Sequence, residues 1–369
     1  MADPAPALKE IFNTERLRHI AVETRAVFPS FAADRFLALC SEGLESLSLM
    51  ARLRRVTEAL HATLPADYDA ALTILRRLAP RLNSGFVTMV LPDYVALYGL
   101  DDFDTSMNTL AFFTTFGSSE FAVRHFLRRD LKRSLTAMER WAHDDNEHVR
   151  RLDSEGSRPR LPWSFKLDAV IADPSLTLNI IETLKADPSR YVRKSVANHL
   201  NDVAKDNPDW LLEQIERWPR DNDATTWIAR HALRTLIKRG DRRALAILGA
   251  DESADIDVVD FAVTPRAIVL GETVTLSIAL RSTASREQRL VVDYAIHYVK
   301  KSGVTAAKVF KLRTLDLAPC ETATIVHRQT VRDFTTRAHH PGRHVVDLLV
   351  NGQVLATGAF DLDHTPPQR

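Results

Sequence analysis

With 369 residues, 45% hydrophobic and 26% charged, the chain has the length for two domains with filled cores and the composition of a soluble globular protein. No stretch approaches the roughly 20 apolar residues of a membrane span, so no membrane partner is expected. The net charge of +1 on its own argues against obligatory nucleic-acid binding. A local basic stripe can still bind phosphates while acidic faces cancel it, and one runs from Arg124 to Lys194. Cys40 and Cys320 offer neither a disulfide framework nor a metal spacing and are expected as buried thiols. The opening Met1-Ala-Asp-Pro-Ala-Pro lacks the basic-then-apolar order of a secretory leader, so a cytoplasmic location is expected.

Up to about Ala250 the apolar residues recur at helical spacing. Predicted helical segments cover 36–60, 68–82, 107–116, 120–127, 132–142, 176–184, 192–204 and 225–238. Three of the later segments resemble one another. Residues 144–156 contain His148-Val-Arg-Arg, 187–202 contain Tyr191-Val-Arg-Lys-Ser-Val-Ala, and 223–236 contain Trp227-Ile-Ala-Arg-His-Ala. This recurrence falls near the ~40–47-residue period of HEAT-like helical pairs. Such pairs stack into a curved array whose concave face suits a long ligand.

The texture changes after Leu248-Gly-Ala-Asp-Glu-Ser-Ala-Asp, a polar linker. Runs at 258–263, 273–280, 289–299, 307–312, 323–328 and 344–350 alternate and are rich in β-branched residues. Turn residues Pro265, Gly271, Pro319 and Asn351-Gly352 lie between them. About seven short strands in ~100 residues describe an immunoglobulin-like sandwich. The expected fold class is therefore α+β multidomain. An all-α HEAT-like solenoid at 1–250 precedes an all-β immunoglobulin-like sandwich at 257–369.

There is no phosphate-binding glycine loop, zinc-ligand spacing or nucleophile elbow, and no metal or cofactor is expected. The distinctive stretch is His148-Val-Arg-Arg-Leu-Asp-Ser-Glu-Gly-Ser-Arg-Pro-Arg-Leu-Pro-Trp163. It reads as an arginine-rich loop, stiffened by two prolines, that ends on a Trp at a helix entrance. Its arginines and glycine suit close approach to a phosphodiester.

The segment from Arg151 to Trp163, followed by Tyr191-Val-Arg-Lys-Ser-Val-Ala-Asn-His-Leu-Asn-Asp202, resembles the AlkC-type enzymes of the AlkC/AlkD superfamily of HEAT-like DNA glycosylases. An appended immunoglobulin-like domain fits a subset of that branch. The resemblance implies excision of cationic alkylated bases, chiefly N3-methyladenine and N3-methylcytosine, from double-stranded DNA in base-excision repair. It also implies that the base is not captured in a pocket. Its catalytic pattern carries over to Glu155, Asp202, Glu120 and the aromatic Trp163. A carboxylate beside C1′ would stabilise the positive charge that builds on the sugar and position water. A π-face would add ~0.5–2 kcal/mol.

Each of these residues also has an ordinary structural use. Glu120 suits a first helical turn, Asp202 could pair with Lys205 or Lys194, and Trp163 could be core. Expected phosphate contacts are Arg151, Arg158, Arg160, Lys166, Arg190, Arg193 and Lys194. Arg337, His339, His340 and Arg343 form a basic loop in the second domain that is expected to reach DNA from the other side and help encircle or bend the duplex. A monomer, acting on nucleoid DNA of a bacterial cytoplasm, is the simplest expectation. The alternative is a non-catalytic helical scaffold that binds DNA or protein.

Overall fold

The computed structural model describes residues 7–219, 221–250, 254–334 and 338–364. Helices give way to strands at residues 250–256, as the texture of the sequence indicated. Compactness divides the chain differently. One unit is Met1–Asn207 with Pro219–Ala232, and the other is Pro208–Trp218 with Leu233–Arg369. The last helices of the second unit hold one another through Arg243, which pairs with Asp209 at 3.4 Å and Glu216 at 3.0 Å. No described helix is long and apolar enough to cross a membrane.

In the first unit, short polar side chains start the helices by accepting otherwise orphaned backbone amides, each worth about 1 kcal/mol. Asn146 caps the Glu147–Gly156 helix and Ser189 caps the Arg190–Val203 helix. The segment expected as one helix over 36–60 is two, Ala33–Ser41 and Leu49–His61. Gly43, at φ 63°, turns the chain between them. The expected 225–238 segment likewise divides into Asp223–Ala232 and Arg234–Lys238.

The three segments that resemble one another become consecutive packed helices: Glu147–Gly156, Arg190–Val203 and Asp223–Ala232. Their apolar faces (Val149 and Leu152, Val192, Val196 and Leu200, then Ile228 and Ala232) are buried. A fully buried Leu, Ile or Val stabilises by about 1.5–3 kcal/mol. Polar rungs fix the register between repeats. The Arg150 guanidinium donates to both Asp187 oxygens at 2.7 and 3.2 Å, and Ser154 donates to Ser195 at 2.7 Å. His199 lies between the Ser154 carbonyl and the Thr177 hydroxyl. Burial, ahead of its hydrogen bond and nearby charges, pulls its pKa down to about 4, so it is neutral at physiological pH.

The second unit carries eight strands among the described residues: β1 (Ile256–Thr264), β2 (Ala267–Val269), β3 (Thr273–Ser282), β4 (Gln288–Val299), β5 (Thr305–Leu317), β6 (Thr322–Thr330), β7 (Gly342–Val350) and β8 (Gln353–Asp363). They form a three-stranded sheet, β1-β3-β6, and a five-stranded sheet, β2-β8-β7-β4-β5. All pairings are antiparallel except β2 with β8. Alternation sends Val274, Leu276, Ile278 and Leu280 of β3 inward, toward Tyr294, Ile296, Leu348 and Phe360. Cys40 is a buried thiol, its pKa pushed by burial up to about 12 despite Arg55. Cys320, expected buried, is instead exposed, in the turn between β5 and β6.

Within this unit the β7–β8 turn touches the end of a helix. A Cβ on Gly352, at φ 76°, would lie 2.3 Å from the Gly240 Cα. Gly352→Ala should destabilise the protein by roughly 1–3 kcal/mol, from backbone overlap plus left-handed strain. Denaturant unfolding would show this as a lower midpoint.

Candidate active site

Two of the three candidate acids occupy the same place on neighbouring repeats. Glu155 is the penultimate residue of the Glu147–Gly156 helix and Asp202 that of the Arg190–Val203 helix. Glu155 was expected in a loop, but the helix runs on through Gly156. A carboxylate at a helix C-terminus faces the negative end of the dipole, and both side chains are almost fully buried. Such groups require partners.

Arg158 supplies them. Its Nη1 donates to Glu155 Oε1 at 2.6 Å, while its Nε and Nη2 reach Asp202 Oδ2 at 2.8 and 2.7 Å. The other oxygens are held by Ser195, donating to Glu155 Oε2 at 2.6 Å, and Lys205, on Asp202 Oδ1 at 2.8 Å. Glu120 opens its helix from a third repeat and accepts from the Ser118 hydroxyl at 2.6 Å. It also pairs with Arg151, whose guanidinium reaches Glu155 Oε1 at 3.5 Å. The three acids are thus joined through two arginines. Burial alone would raise the Glu155 carboxyl. The guanidiniums of Arg151 and Arg158 and the Ser195 hydroxyl outweigh it and hold the pKa below the ordinary carboxylate value.

Trp163 stands on the loop between helices, five residues before the Asp168–Ala172 helix rather than at its entrance. Its φ is 65° and its side chain is 66% exposed. A left-handed non-glycine residue costs roughly 1–2 kcal/mol, and the loop is built to hold it. The buried Arg124 donates to the carbonyls of Gly156 at 2.9 Å, Arg158 at 2.6 Å and Phe165. The Leu167 amide closes back on the Pro159 carbonyl at 3.1 Å. An open cavity of about 350 Å³ results, with Glu120, Glu155 and Arg158 on its polar side. Phe86, Met89, Phe121, Leu161, Pro162 and Trp163 form its apolar side.

The expected phosphate contacts divide. Arg151 and Arg158 are committed to the acid cluster. Arg160 forks onto Asp206 with two bonds of 2.6 Å. Arg193 donates to the carbonyls of Asp187 and Pro188. Lys166, Arg190 and Lys194 are exposed. In the second unit Arg343 is exposed and His340 half-buried, but His339 is buried against Tyr298 and bonded to Asp333. It supports its loop instead of presenting a surface charge. Arg337 lies outside the described residues. The site also uses Arg124, Ser195, Phe121 and Tyr191, which the sequence did not single out as site residues. Tyr191 places its ring 5.3 Å from the Arg151 guanidinium.

Residues 110–236 match the family model of DNA alkylation repair enzymes, and residues 257–364 match that of the C-terminal Ig-like domain of the uncharacterised protein YhaZ. The uncharacterized protein YhaZ of Bacillus subtilis (strain 168) is 42% identical over 348 residues, 94% of this chain and 97% of that one. The structure of the Pseudomonas fluorescens alkylpurine DNA glycosylase AlkC, bound to DNA containing an abasic site analog, is 58% identical. It matches over 97% of this chain and 100% of its own, with a TM-score of 0.94. A helical-repeat unit of the alkylation-repair class, carrying an acid cluster, is thus joined to an Ig-like sandwich. The chain belongs to the AlkC family of alkylpurine DNA glycosylases.

Asp153, two residues before Glu155, is wholly buried and neither oxygen has a hydrogen-bond partner among the described residues. Burial first, then Glu139, raises its pKa well above the usual carboxylate value. A raised folded-state pKa gives stability that is present below the unfolded pKa and lost as pH rises toward the folded one. The melting temperature of Asp153→Asn should therefore gain on that of the wild type as the pH rises above about 4, the unfolded carboxylate value. A constant difference would mean that Asp153 ionises without cost.

Proposed function

We propose that this chain excises cationic alkylated bases, N3-methyladenine and N3-methylcytosine, from duplex DNA as the first step of base-excision repair. The observation that carries the reading is Glu155. It is a buried carboxylate held ionised by two guanidiniums and a hydroxyl, and it lines a cavity rimmed by an exposed Trp. The match to a glycosylase solved on abasic-analog DNA supports the same substrate class.

A base alkylated at N3 already carries a positive charge. When the C1′–N bond breaks, the bonding pair leaves with the base, which becomes neutral, so no general acid is needed. The charge passes to the deoxyribose as an oxocarbenium-like centre. Glu155 stabilises that centre electrostatically and, with Asp202 and Glu120, orients the water that adds to C1′ and accepts its proton. Trp163 offers its π-face to the cationic sugar or base. Activation comes from the lesion's own charge, so the base need not enter a recognition pocket. Lys166, Arg190 and Lys194, with Arg343 from the sandwich, contact backbone phosphates. The chain acts as a monomer on nucleoid DNA in the cytoplasm.

The test is release of N3-methyladenine from methylated duplex DNA. Glu155→Gln should lose at least about 10²-fold in single-turnover rate, with affinity for abasic-analog duplex within a few-fold of wild type. No release by the folded wild-type chain would leave a DNA-binding scaffold in place of an enzyme.

A further inference from the structure

In the free protein the acid cluster is neutralised from within. Glu120, Glu155 and Asp202 face Arg151, Arg158 and Lys205. A site arranged this way has no excess negative charge to offer a developing cation, unless one of the cationic side chains withdraws. The two arginines are not equivalent. Arg158 makes three contacts of 2.6–2.8 Å to Glu155 and Asp202, and its backbone carbonyl is held by the buried Arg124. Arg151 reaches Glu155 only at 3.5 Å. Its remaining partners, Glu120, the Ser118 hydroxyl at 2.9 Å and the Tyr191 ring, belong to one helix start and one half-exposed aromatic. Like Arg158 it neutralises two acids, but those two, Glu120 and Glu155, are the ones that line the cavity.

We propose that Arg151 is an exchangeable counter-ion, neutralising Glu120 and Glu155 in the free protein and transferring to a DNA phosphate when duplex binds. Transfer leaves both carboxylates turned toward the deoxyribose. A guanidinium suits the exchange because its planar fork matches carboxylate and phosphate alike. Leaving the cluster also removes the charge that would repel an oxocarbenium centre. Arg151 is a positioning residue here, acting through Glu120 and Glu155. The idea rests on the glycosylase reading above and adds that DNA binding itself switches on the charge of the site.

The groups facing Glu155 come from several elements. Arg151 lies on its own helix, and Glu120, joined to Glu155 through Arg151, opens the Glu120–Arg129 helix. Tyr191, His199 and Asp202 lie on the Arg190–Val203 helix, and Arg158 on the loop. The experiment must therefore separate the free protein from the complex. For base release, the second-order rate constant reports the ionisation of the free protein, and the saturating single-turnover rate that of the complex.

In Arg151→Gln the acid limb of the second-order constant should move to higher pH, because the free carboxylates have lost a counter-ion. The acid limb of the saturating rate should stay where it is, because Arg151 has already left in the wild-type complex. The slope of log affinity against log salt should fall by about one. Movement of both limbs would mean that Arg151 stays on the acids when DNA binds, and would overturn the proposal. So would an unmoved second-order limb or an unchanged salt slope.

If Arg151→Gln melts below the assay temperature, Arg151→Lys carries the test. A single ammonium cannot span both carboxylates, so its second-order limb alone should rise, with the salt slope retained. Absence of base release by wild type at any pH would instead remove the underlying function, a result distinct from both limbs moving together.

Discussion

The active-site architecture depends on a conflict between charge and burial at two helix ends. Glu155 and Asp202 lie where the backbone dipole is already negative and little water reaches them, so both carboxylates require partners. Arg158 resolves the conflict by lying between the two and donating to both. Because Arg158 follows the Glu155 helix directly, its geometry requires the loop to turn immediately after Gly156. Arg124 enforces that turn from below by binding three carbonyls of the same loop. The left-handed backbone at Trp163 is carried by the same pinned loop. The paired carboxylates, the loop path and the exposed aromatic are thus parts of one arrangement.

The repeat gives this arrangement its rigidity. Acids on the ends of consecutive helices converge only if those helices hold a fixed register. The Arg150–Asp187 fork and the Ser154–Ser195–Glu155 hydrogen bonds run across that interface. Ser195 is therefore both a packing element and a partner of the Glu155 carboxylate. At the same interface burial disfavours the charged form of groups without a counter-ion, lowering the pKa of His199 and raising that of Asp153.

Much of this was legible in the sequence, for reasons that differ by element. The alternating strands of the sandwich and the helical repeats follow from apolar periodicity, which burial enforces directly. Glu155, Asp202, Glu120 and Trp163 came from a motif resemblance, and the structure brings Glu155 and Glu120 together with Trp163 around one cavity. Asp202 joins them through Arg158. The roles of the arginines were less legible. Arg151, Arg158 and Arg160 look alike in the chain, and only three-dimensional pairing shows that carboxylates occupy them. Glu155 read as a loop residue because Gly156 and Pro159 signal a break, yet the helix continues through Gly156, where a Cβ would lie 2.5 Å from Val123. Arg124 read only as the start of a basic stripe, and Ser195 gave no signal, since a buried arginine on carbonyls and a helix serine have no local signature.

The central claim is that ionised carboxylates in this cluster stabilise positive charge on the sugar. The most direct test compares affinity for two duplexes, one bearing a neutral tetrahydrofuran abasic nucleotide and one bearing its cationic pyrrolidine counterpart. The wild-type protein should prefer the cationic duplex by at least about tenfold, and Glu155→Gln should lose most of that preference. Equal affinity in the wild type, or a preference that survives Glu155→Gln, would contradict the account.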